Sequence, residues 1–249
     1  MYELSNKVQL SVIIPVYNEE DNIEELYFRV VKVLEGIKKI YEIVFVDDGS
    51  IDKSFEVLGD IYNKNGTVKI VRLTRNFGQA AALLAGFSFA RGEIVVTIDA
   101  DLQCLPEDIP KLLTKINEGF DAVSGFRRFR QDTIFRKSSS YLMNKIMYFK
   151  TKINLKDWGC PLNMIRKELI DQIISYGSNA RFIKPLGVRL GKNITEVEVQ
   201  HLKRKNGRSK YNILSLISNG LDFLVNYSRS LSKDKREIFI VKEIIQSVP

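Results

Sequence analysis

The first half of the chain is built of short, continuous apolar runs separated by longer stretches in which apolar residues recur every three or four positions. Leu10 to Val16 is a β-rich apolar run halted by the polar segment NEED. Asn22 then opens a stretch in which Ile23, Leu26, Tyr27, Val30, Val33, Leu34 and Ile37 fall at helical spacing. A strand followed by an amphipathic helix is predicted there. Tyr41 to Val46 is a second apolar run, ended by DDGS, and Phe55, Val57, Leu58 and Ile61 mark a helix behind it. Val68 to Leu73 predicts a third strand, Gln79 to Ala90 an alanine-rich buried helix, and Glu93 to Ile98 a fourth strand. Pro106 suits the first turn of a helix that ends near Gly119, and Phe120 to Ser124 supplies a fifth strand.

Strands that are apolar throughout, alternating with helices, predict an α/β fold: a doubly wound, mostly parallel sheet covered on both faces. Such sheets bind ligands at the carboxyl ends of their strands. The segments that end these strands, PVYNEE, VDDGS, LTRNFG and IDADLQ, are polar and acidic and should converge on one crevice. After Gly125 the alternation becomes irregular and the charge reverses: residues 126–152 hold Arg127, Arg128, Arg130, Arg136, Lys137, Lys145, Lys150 and Lys152 against Asp132 alone. Residues 203–210, KRKNGRSK, repeat the basic theme. Residues 211–227 read as an amphipathic helix that either lies in a membrane interface or covers the sheet, and the tail from Ser228 is charged without a clear period. The expected organisation is one catalytic-size domain over residues 1–210, followed by a C-terminal amphipathic helix and charged tail over 211–249.

With 38 Lys and Arg against 30 Asp and Glu, the net charge of +8 favours anionic partners: phosphorylated small molecules, an acidic membrane face or nucleic acid. Cys104 and Cys160 lie far apart in sequence and form no C-x-x-C, which argues against a disulfide framework or a zinc site and fits a reducing cytoplasm. No basic region followed by a long apolar segment opens the chain, so no signal peptide is expected. The greasiest stretches are too short, or are interrupted by Asn219 and Asp222, to span a bilayer. The chain is therefore expected to be soluble or peripheral. Neither a G-x-G-x-x-G after the first strand nor a G-x-x-x-x-G-K-[ST] occurs, which disfavours a dehydrogenase-type dinucleotide site and removes a P-loop.

The fourth strand delivers Asp99, Asp101 and Gln103 at alternate positions where its apolar run ends. On an extended segment such side chains share one side and offer hard oxygen donors. Mg²⁺ and Mn²⁺ take such donors, and Mg²⁺ is commonly held by one or two carboxylates together with substrate phosphates. The alternative is a helix cap with solvated neighbours. Asp47 and Asp48 either accept hydrogen bonds from a ribose or base, or only form the D-D-G-S turn. His201, the sole histidine, is read as structural. Trp158 and the Phe126/Phe129 pair either line an acceptor groove or pack in the core.

The segments SVIIPVYNEEDNI, VFVDDGSIDKS, LTRNFGQAAALLAG, IDADLQCLPEDIP and SGFRRFR, in this order and spacing, resemble the family 2 glycosyltransferases of the GT-A fold. Within that family the chain is similar to the branch acting on polyprenyl phosphates, the dolichyl-phosphate mannose synthases and their bacterial undecaprenyl-phosphate relatives. DWGCPLNMIRKELID and HLKRKNGRSKY resemble later motifs of that branch, with D-x-G-C most like transferases of modified arabinose. The resemblance covers roughly residues 8–215.

It implies that Pro15, Tyr17, Glu19, Val46 and Asp48 hold the nucleoside, with Asp99 also on the donor side. Ala100, Asp101 and Gln103 would contact the diphosphate and metal, Asp101 and Gln103 being the ligands of Mg²⁺ or Mn²⁺. Arg127 matches the arginine after the fifth strand, and Arg204, Ser209 and Lys210 match the basic G-x-S-K element; with Arg136 they would grip phosphates. Arg208 stands where the family often has Glu, and Gln79 where many relatives have Lys or His. Bacterial relatives commonly continue into a pair of transmembrane helices that this chain lacks, so membrane residence is expected to come from the basic surface, the amphipathic helix or a membrane subunit.

The implied activity is an inverting transfer of a sugar from a UDP- or GDP-sugar to a polyprenyl phosphate at the cytoplasmic membrane face. Metal and cations would stabilise the departing phosphate. Asp157 would orient the acceptor arginines, act as base, or cap the turn before Gly159. A soluble glycan or protein hydroxyl as acceptor, and a non-catalytic nucleotide-sugar-binding subunit, are the competing expectations. No aromatic-plus-basic RNA motif is present, so nucleic acid is not an expected partner.

Overall fold

A computed structural model describes residues 7–128, 144–145, 147–149, 151–203, 234 and 238–246. Arg136, Arg204, Arg208, Ser209, Lys210, Phe129 and the helix expected over 211–227 lie outside the described residues.

The alternation read from the sequence forms as expected through residue 117. Strand β1 (Leu10–Val16) leads to α1 (Ile23–Ile37), β2 (Tyr41–Asp47) to α2 (Ser54–Lys64), β3 (Val68–Leu73) to α3 (Gln79–Phe89), and β4 (Ile94–Thr97) to α4 (Ile109–Asn117). A 3-10 turn over Pro106–Asp108 precedes α4, so the proline opens that turn and the α-helix begins three residues later. Beyond this point come β5 (Ala122–Phe126), β6 (Asn163–Arg166), α5 (Lys167–Ile174), α6 (Ile183–Leu190), β7 (Ile194–Glu198) and β8 (Val241–Ile245).

Among the described residues the sheet has eight strands in the order β7-β5-β6-β4-β1-β2-β3-β8. Strands β1 to β4 are parallel neighbours, β6 runs antiparallel between β4 and β5, and β8 pairs antiparallel with β3. The sheet is mostly parallel as expected, and two features of it were not read from the strand pattern. The fifth strand runs two residues later than its apolar run suggested, and it does not touch β4, because β6 is inserted between them. The charged tail, for which no period was legible, supplies β8, whose pairing covers the β3 edge.

Continuous apolar strands follow from cover on both faces. Val12, Ile14, Ile43, Phe45, Ile70 and Val96 pack beneath α1, α2 and α4, while the alternate residues Ile13, Val44, Val46, Val71 and Val95 pack beneath α3 and α5. Helix α3 lies close on the sheet: a Cβ at Gly86 would stand 2.3 Å from Ile13 Cγ2. The alanine-rich sequence of this helix is what that approach requires.

At the amino end of the strands a buried charge cluster ties three of them together. Glu42, 2 % exposed, accepts from Ser11 Oγ at 2.6 Å, from the Arg91 backbone N–H at 2.6 Å and from Arg91 Nε at 3.0 Å, with Lys69 Nζ at 3.6 Å. Burial alone would raise the Glu42 pKa, but these donors and the Lys69 charge outweigh it and hold the carboxyl below its ordinary value. A depressed carboxyl contributes stability that is present above its unfolded pKa and lost as pH falls through the lower folded value. Glu42→Gln, which strands buried Lys69 without a counter-charge, should cost about 3 kcal/mol in urea unfolding at neutral pH and flatten the acid limb of the stability profile. An unchanged midpoint at both pH values would remove the cluster from the forces holding the sheet.

Candidate active site

The carboxyl ends of the parallel strands gather at one edge through their register. Val16 stands beside Asp47, Asp47 beside Arg72, and Ile13 beside Thr97. The loops after β1 and β2 leave this edge stitched to one another. The Asn18 N–H donates to Ser50 Oγ at 3.0 Å, the Ile51 N–H to Asn18 Oδ1 at 2.9 Å, and the Glu19 N–H to Ser54 Oγ at 2.8 Å. Glu19 is buried and its carboxylate accepts from Asn22 Nδ2 at 2.7 Å. Pro15 and Tyr17 are half-buried above β1, whereas Val46 is wholly buried and its side chain packs against α3.

The two aspartates of D-D-G-S have separate jobs. Asp48 takes the backbone N–H groups of Phe77 and Gly78 on its two oxygens, at 2.8 and 2.9 Å, and so fixes the turn into α3. Burial, added to by neighbouring Asp47, holds its carboxyl above the usual range although both amides favour the charged form. Asp47 Oδ1 accepts the Ser50 N–H at 3.0 Å. Its Oδ2 is fully buried with no hydrogen bond, and Arg72 Nε lies 3.4 Å away. Gly49 adopts φ +68°, and a Cβ there would lie 2.4 Å from the Arg75 carbonyl carbon, so no side chain fits where this turn meets the β3 loop.

Beyond β4 the chain turns sharply. Asp99 Oδ1 accepts from Gln79 Nε2 at 2.6 Å, linking the first aspartate of D-A-D to the start of α3. Asp101 is 8 % exposed and its Oδ1 accepts the Gln103 N–H at 3.1 Å. Leu102 between them has φ +59°, a left-handed conformation costly for a branched side chain and of the kind that gathers at functional sites. The turn thereby folds the Asp101 carboxylate back onto the Gln103 backbone, the Gln103 Nε2 donates to Leu202 O at 3.3 Å, and Ala100 is buried beneath the turn. The Asp101 carboxylate and the Gln103 side-chain oxygen are hard donors of the kind Mg²⁺ or Mn²⁺ takes when a ligand completes its shell. Among the described residues no group of three or more His, Cys, Asp or Glu side chains is arranged to hold a metal.

Segment 200–203 lies alongside this turn: Cys104 and His201 form an antiparallel bridge, and the Leu202 N–H donates to Gln103 O at 2.9 Å. The basic KRKNGRSK stretch thus starts, at Lys203, next to Gln103. His201 is buried in this bridge.

On the other side, Arg127 follows β5 and Asp157 sits in the loop that enters β6. Arg127 Nε donates to Asp157 Oδ2 at 2.6 Å and a terminal nitrogen to Oδ1 at 3.0 Å, both side chains being more than nine-tenths buried. Burial would lower the Arg127 pKa, but the paired carboxylate more than offsets it and holds the guanidinium above its ordinary value. Asp157 also accepts the Gly159 N–H at 3.0 Å, so its expected turn-capping and arginine-orienting roles coexist.

Two charged residues that the motifs did not single out hold this loop. Glu196 on β7 accepts the Lys156 N–H at 2.8 Å and the Asp157 N–H at 3.2 Å, and Lys184 Nζ on α6 donates to the carbonyls of Asp157 and Cys160 at 3.0 and 3.4 Å. Burial keeps the Lys184 ammonium below the usual lysine pKa in spite of nearby Cys160, Asp157 and Glu196. A lone cation in the apolar run FIKPLGV was the available signal for Lys184; nothing in ITEVE marks Glu196. The cysteines that are distant in sequence lie in one buried core cluster here, and Cys160 Sγ donates to Leu162 O at 3.9 Å. The neighbouring Cys160 thiol, together with burial, pushes the Cys104 thiol up. Trp158 packs in a small apolar cluster with Met147, Leu155 and Val188, as core instead of groove lining.

A three-layer α/β sheet with a D-x-D turn at its carboxyl edge is the architecture of the GT-A nucleotide-diphospho-sugar fold. The family model described as glycosyl transferase family 2 matches residues 11–174, and the chain belongs to that family. It is 41 % identical over 211 residues to an undecaprenyl-phosphate 4-deoxy-4-formamido-L-arabinose transferase of Enterobacter sp. (strain 638), covering 84 % of this chain and 64 % of that protein. A protein of the same name from Proteus mirabilis is 40 % identical over 224 residues, covering 90 % and 68 %. The chain therefore spans about two thirds of the length of these relatives, just under that share for the first. Among solved structures it resembles glucosyl-3-phosphoglycerate synthase from Mycobacterium tuberculosis in complex with Mn²⁺ and uridine-diphosphate-glucose, with a TM-score of 0.65 at 19 % identity over 91 % of this chain and 80 % of that one. S. aureus TarS in complex with UDP-GlcNAc gives 0.57 at 21 % identity over 82 % and 62 %. These two likenesses are of fold.

Asp157→Ala leaves the Arg127 guanidinium buried without its partner and should destabilise the chain by about 3–5 kcal/mol in denaturant unfolding. Replacing the pair together, Arg127→Met with Asp157→Leu, should cost far less. Equal losses in the single and double variants would show that the pair does not act as a unit.

Proposed function

We propose that the chain is the catalytic part of a metal-dependent, inverting glycosyltransferase that moves a sugar from a UDP- or GDP-sugar to a polyprenyl phosphate at the cytoplasmic face of a membrane. The observation that carries the reading is the single edge where the Asp101–Gln103 turn, the start of the basic 203–210 segment and the Arg127–Asp157 pair come together. The name carried by the 40 % identical relatives supports the acceptor class, and the modified arabinose in that name is the first sugar to test. Among the described residues no helix is long and apolar enough to cross a membrane. In this reading residues 1–210 form the transferase domain, and residues 211–249 add a membrane-facing helix and a tail, with a membrane subunit as a further partner.

Pro15, Tyr17 and Glu19 on the β1 loop, with Val46 and Asp48 at the end of β2, form the nucleoside side, and Asp99 and Ala100 border the donor. Asp48 acts through the loop it ties, and Val46 by backing Pro15, its register partner. Asp101 and Gln103 would hold Mg²⁺ or Mn²⁺, whose chemistry is to neutralise the charge that develops on the departing diphosphate. Arg127, kept rigid and fully charged by Asp157, offers a fixed positive charge that needs no reorganisation as negative charge moves. Arg136, Arg204, Ser209 and Lys210 are assigned to the acceptor and donor phosphates.

An acceptor phosphate is already an anion at neutral pH. Its oxygen attacks the sugar carbon while the bond from that carbon to the donor phosphate breaks, and no base has to remove a proton. That suits a site in which the Asp157 oxygens are committed to Arg127 and Gly159.

The test incubates the chain with Mg²⁺ or Mn²⁺, a short polyprenyl phosphate and labelled UDP- and GDP-sugars, and counts lipid-extractable label. Label should appear with one donor, and Asp101→Asn should reduce it by about a hundredfold or more. Full activity in that variant would sink the ligand assignment, and transfer only to a water-soluble glycan would replace the acceptor.

A further inference from the structure

Asp108 stands at the N-cap of α4, where an aspartate ordinarily turns its carboxylate onto the first amides of its own helix. Here it does not. No side-chain capping bond forms, and the carboxylate, 1 % exposed, is used elsewhere: Oδ2 accepts the Gln200 N–H at 2.7 Å and Oδ1 accepts from Lys111 Nζ at 2.5 Å. A buried acid that leaves its local cap for a backbone amide 92 positions away is holding something the helix itself does not need.

Gln200 belongs to segment 199–202, which follows β7 and touches both halves of the site. The Val199 N–H donates to Phe126 O at 3.0 Å, one residue before Arg127, while His201 bridges to Cys104 and the Leu202 N–H donates to Gln103 O at 2.9 Å. Leu202 O in turn accepts from Gln103 Nε2 at 3.3 Å. A side-chain amide engaged through its nitrogen presents its oxygen to a further partner. We propose that Asp108 is a positioning residue for the cation site: it pins segment 199–202 against the D-A-D-L-Q turn, and that segment holds the Gln103 amide with its oxygen left for the ion. Gln103 is a long side chain that loses rotamer freedom when it binds, and an amide already held in its binding orientation loses less. The same pin sets where the basic segment starts, since Lys203 directly follows Leu202. The ion's part rests on the function proposed above; the pinning does not, because it is measurable without any ligand.

Amide hydrogen exchange and Mn²⁺ titration separate the two parts. In Asp108→Ala the Leu202 amide should exchange about tenfold faster. Mn²⁺ binding should weaken about tenfold, read from the paramagnetic resonance signal of the free ion with UDP or GDP present. Asp108→Asn, whose Oδ1 still accepts the Gln200 N–H, should recover most of both readings. Lys111→Met removes the ion pair and leaves the bond to Gln200, so it should lower the melting temperature with exchange and Mn²⁺ affinity unchanged. Gln200→Pro deletes the same bond from its exposed end and carries the alanine variant's expectation should that variant not fold. A merely structural carboxylate would make both readings follow the melting temperature through all the variants, and that result overturns the proposal. Wild-type Leu202 exchange, or wild-type Mn²⁺ affinity, in a folded Asp108→Ala chain overturns it as well. A wild-type chain whose Leu202 exchange answers to Asp108→Ala but which takes up no Mn²⁺ with either nucleotide leaves the pinning standing and removes the metal-dependent reading.

Discussion

The contact on which the site depends is the buried pair of Arg127 and Asp157. Each side chain is more than nine-tenths removed from water, a position an ion tolerates only with its remaining hydrogen-bonding capacity used. Asp157 meets that condition by accepting from Arg127 and from the Gly159 amide, and its own backbone is pinned by Glu196 and Lys184. A loop fastened by charged side chains from three separate elements has little freedom. Arg127 is consequently fixed in space and always charged, which is what the phosphate-binding role proposed for it requires.

The insertion of β6 between β4 and β5 makes this possible. Because β6 runs against its neighbours, the loop that enters it opens at the carboxyl edge of the parallel strands. The D-W-G-C segment therefore arrives beside D-A-D-L-Q, and Cys104 and Cys160 are buried in one core cluster across the seam. The acidic turn comes from the parallel half of the sheet and the Arg127–Asp157 ion pair from the mixed half.

Much of the first half was legible because burial on both faces of a parallel sheet leaves an uninterrupted apolar record, and β1, β3 and α1 fall where that record starts and stops. Asp101 and Gln103 were legible for a related reason: polar side chains where an apolar run ends must lie at the sheet edge. The second half was not. Strand β6 is four residues long, β7 is only partly buried, and β8 lies in a charged tail as an edge strand facing water, so none carries a strong period. The role of Asp48 was equally hidden, since a carboxylate at a strand end reads alike whether it meets a ligand or two backbone amides.

The sequence by itself determined the order of strands and helices through residue 117, the acidic character of one sheet edge and the basic character of the segment beyond Gly125, because these depend on local period and composition. Tertiary structure alone decided that β6 separates β4 from β5, that Asp157 closes on Arg127, that Lys184 and Glu196 brace the loop between them, and that the two cysteines share one core cluster. Those contacts join residues dozens of positions apart. The charged contacts among them are favourable only because each buried group finds its partner, which offsets the cost of leaving water, and the partners come together only after the chain has folded.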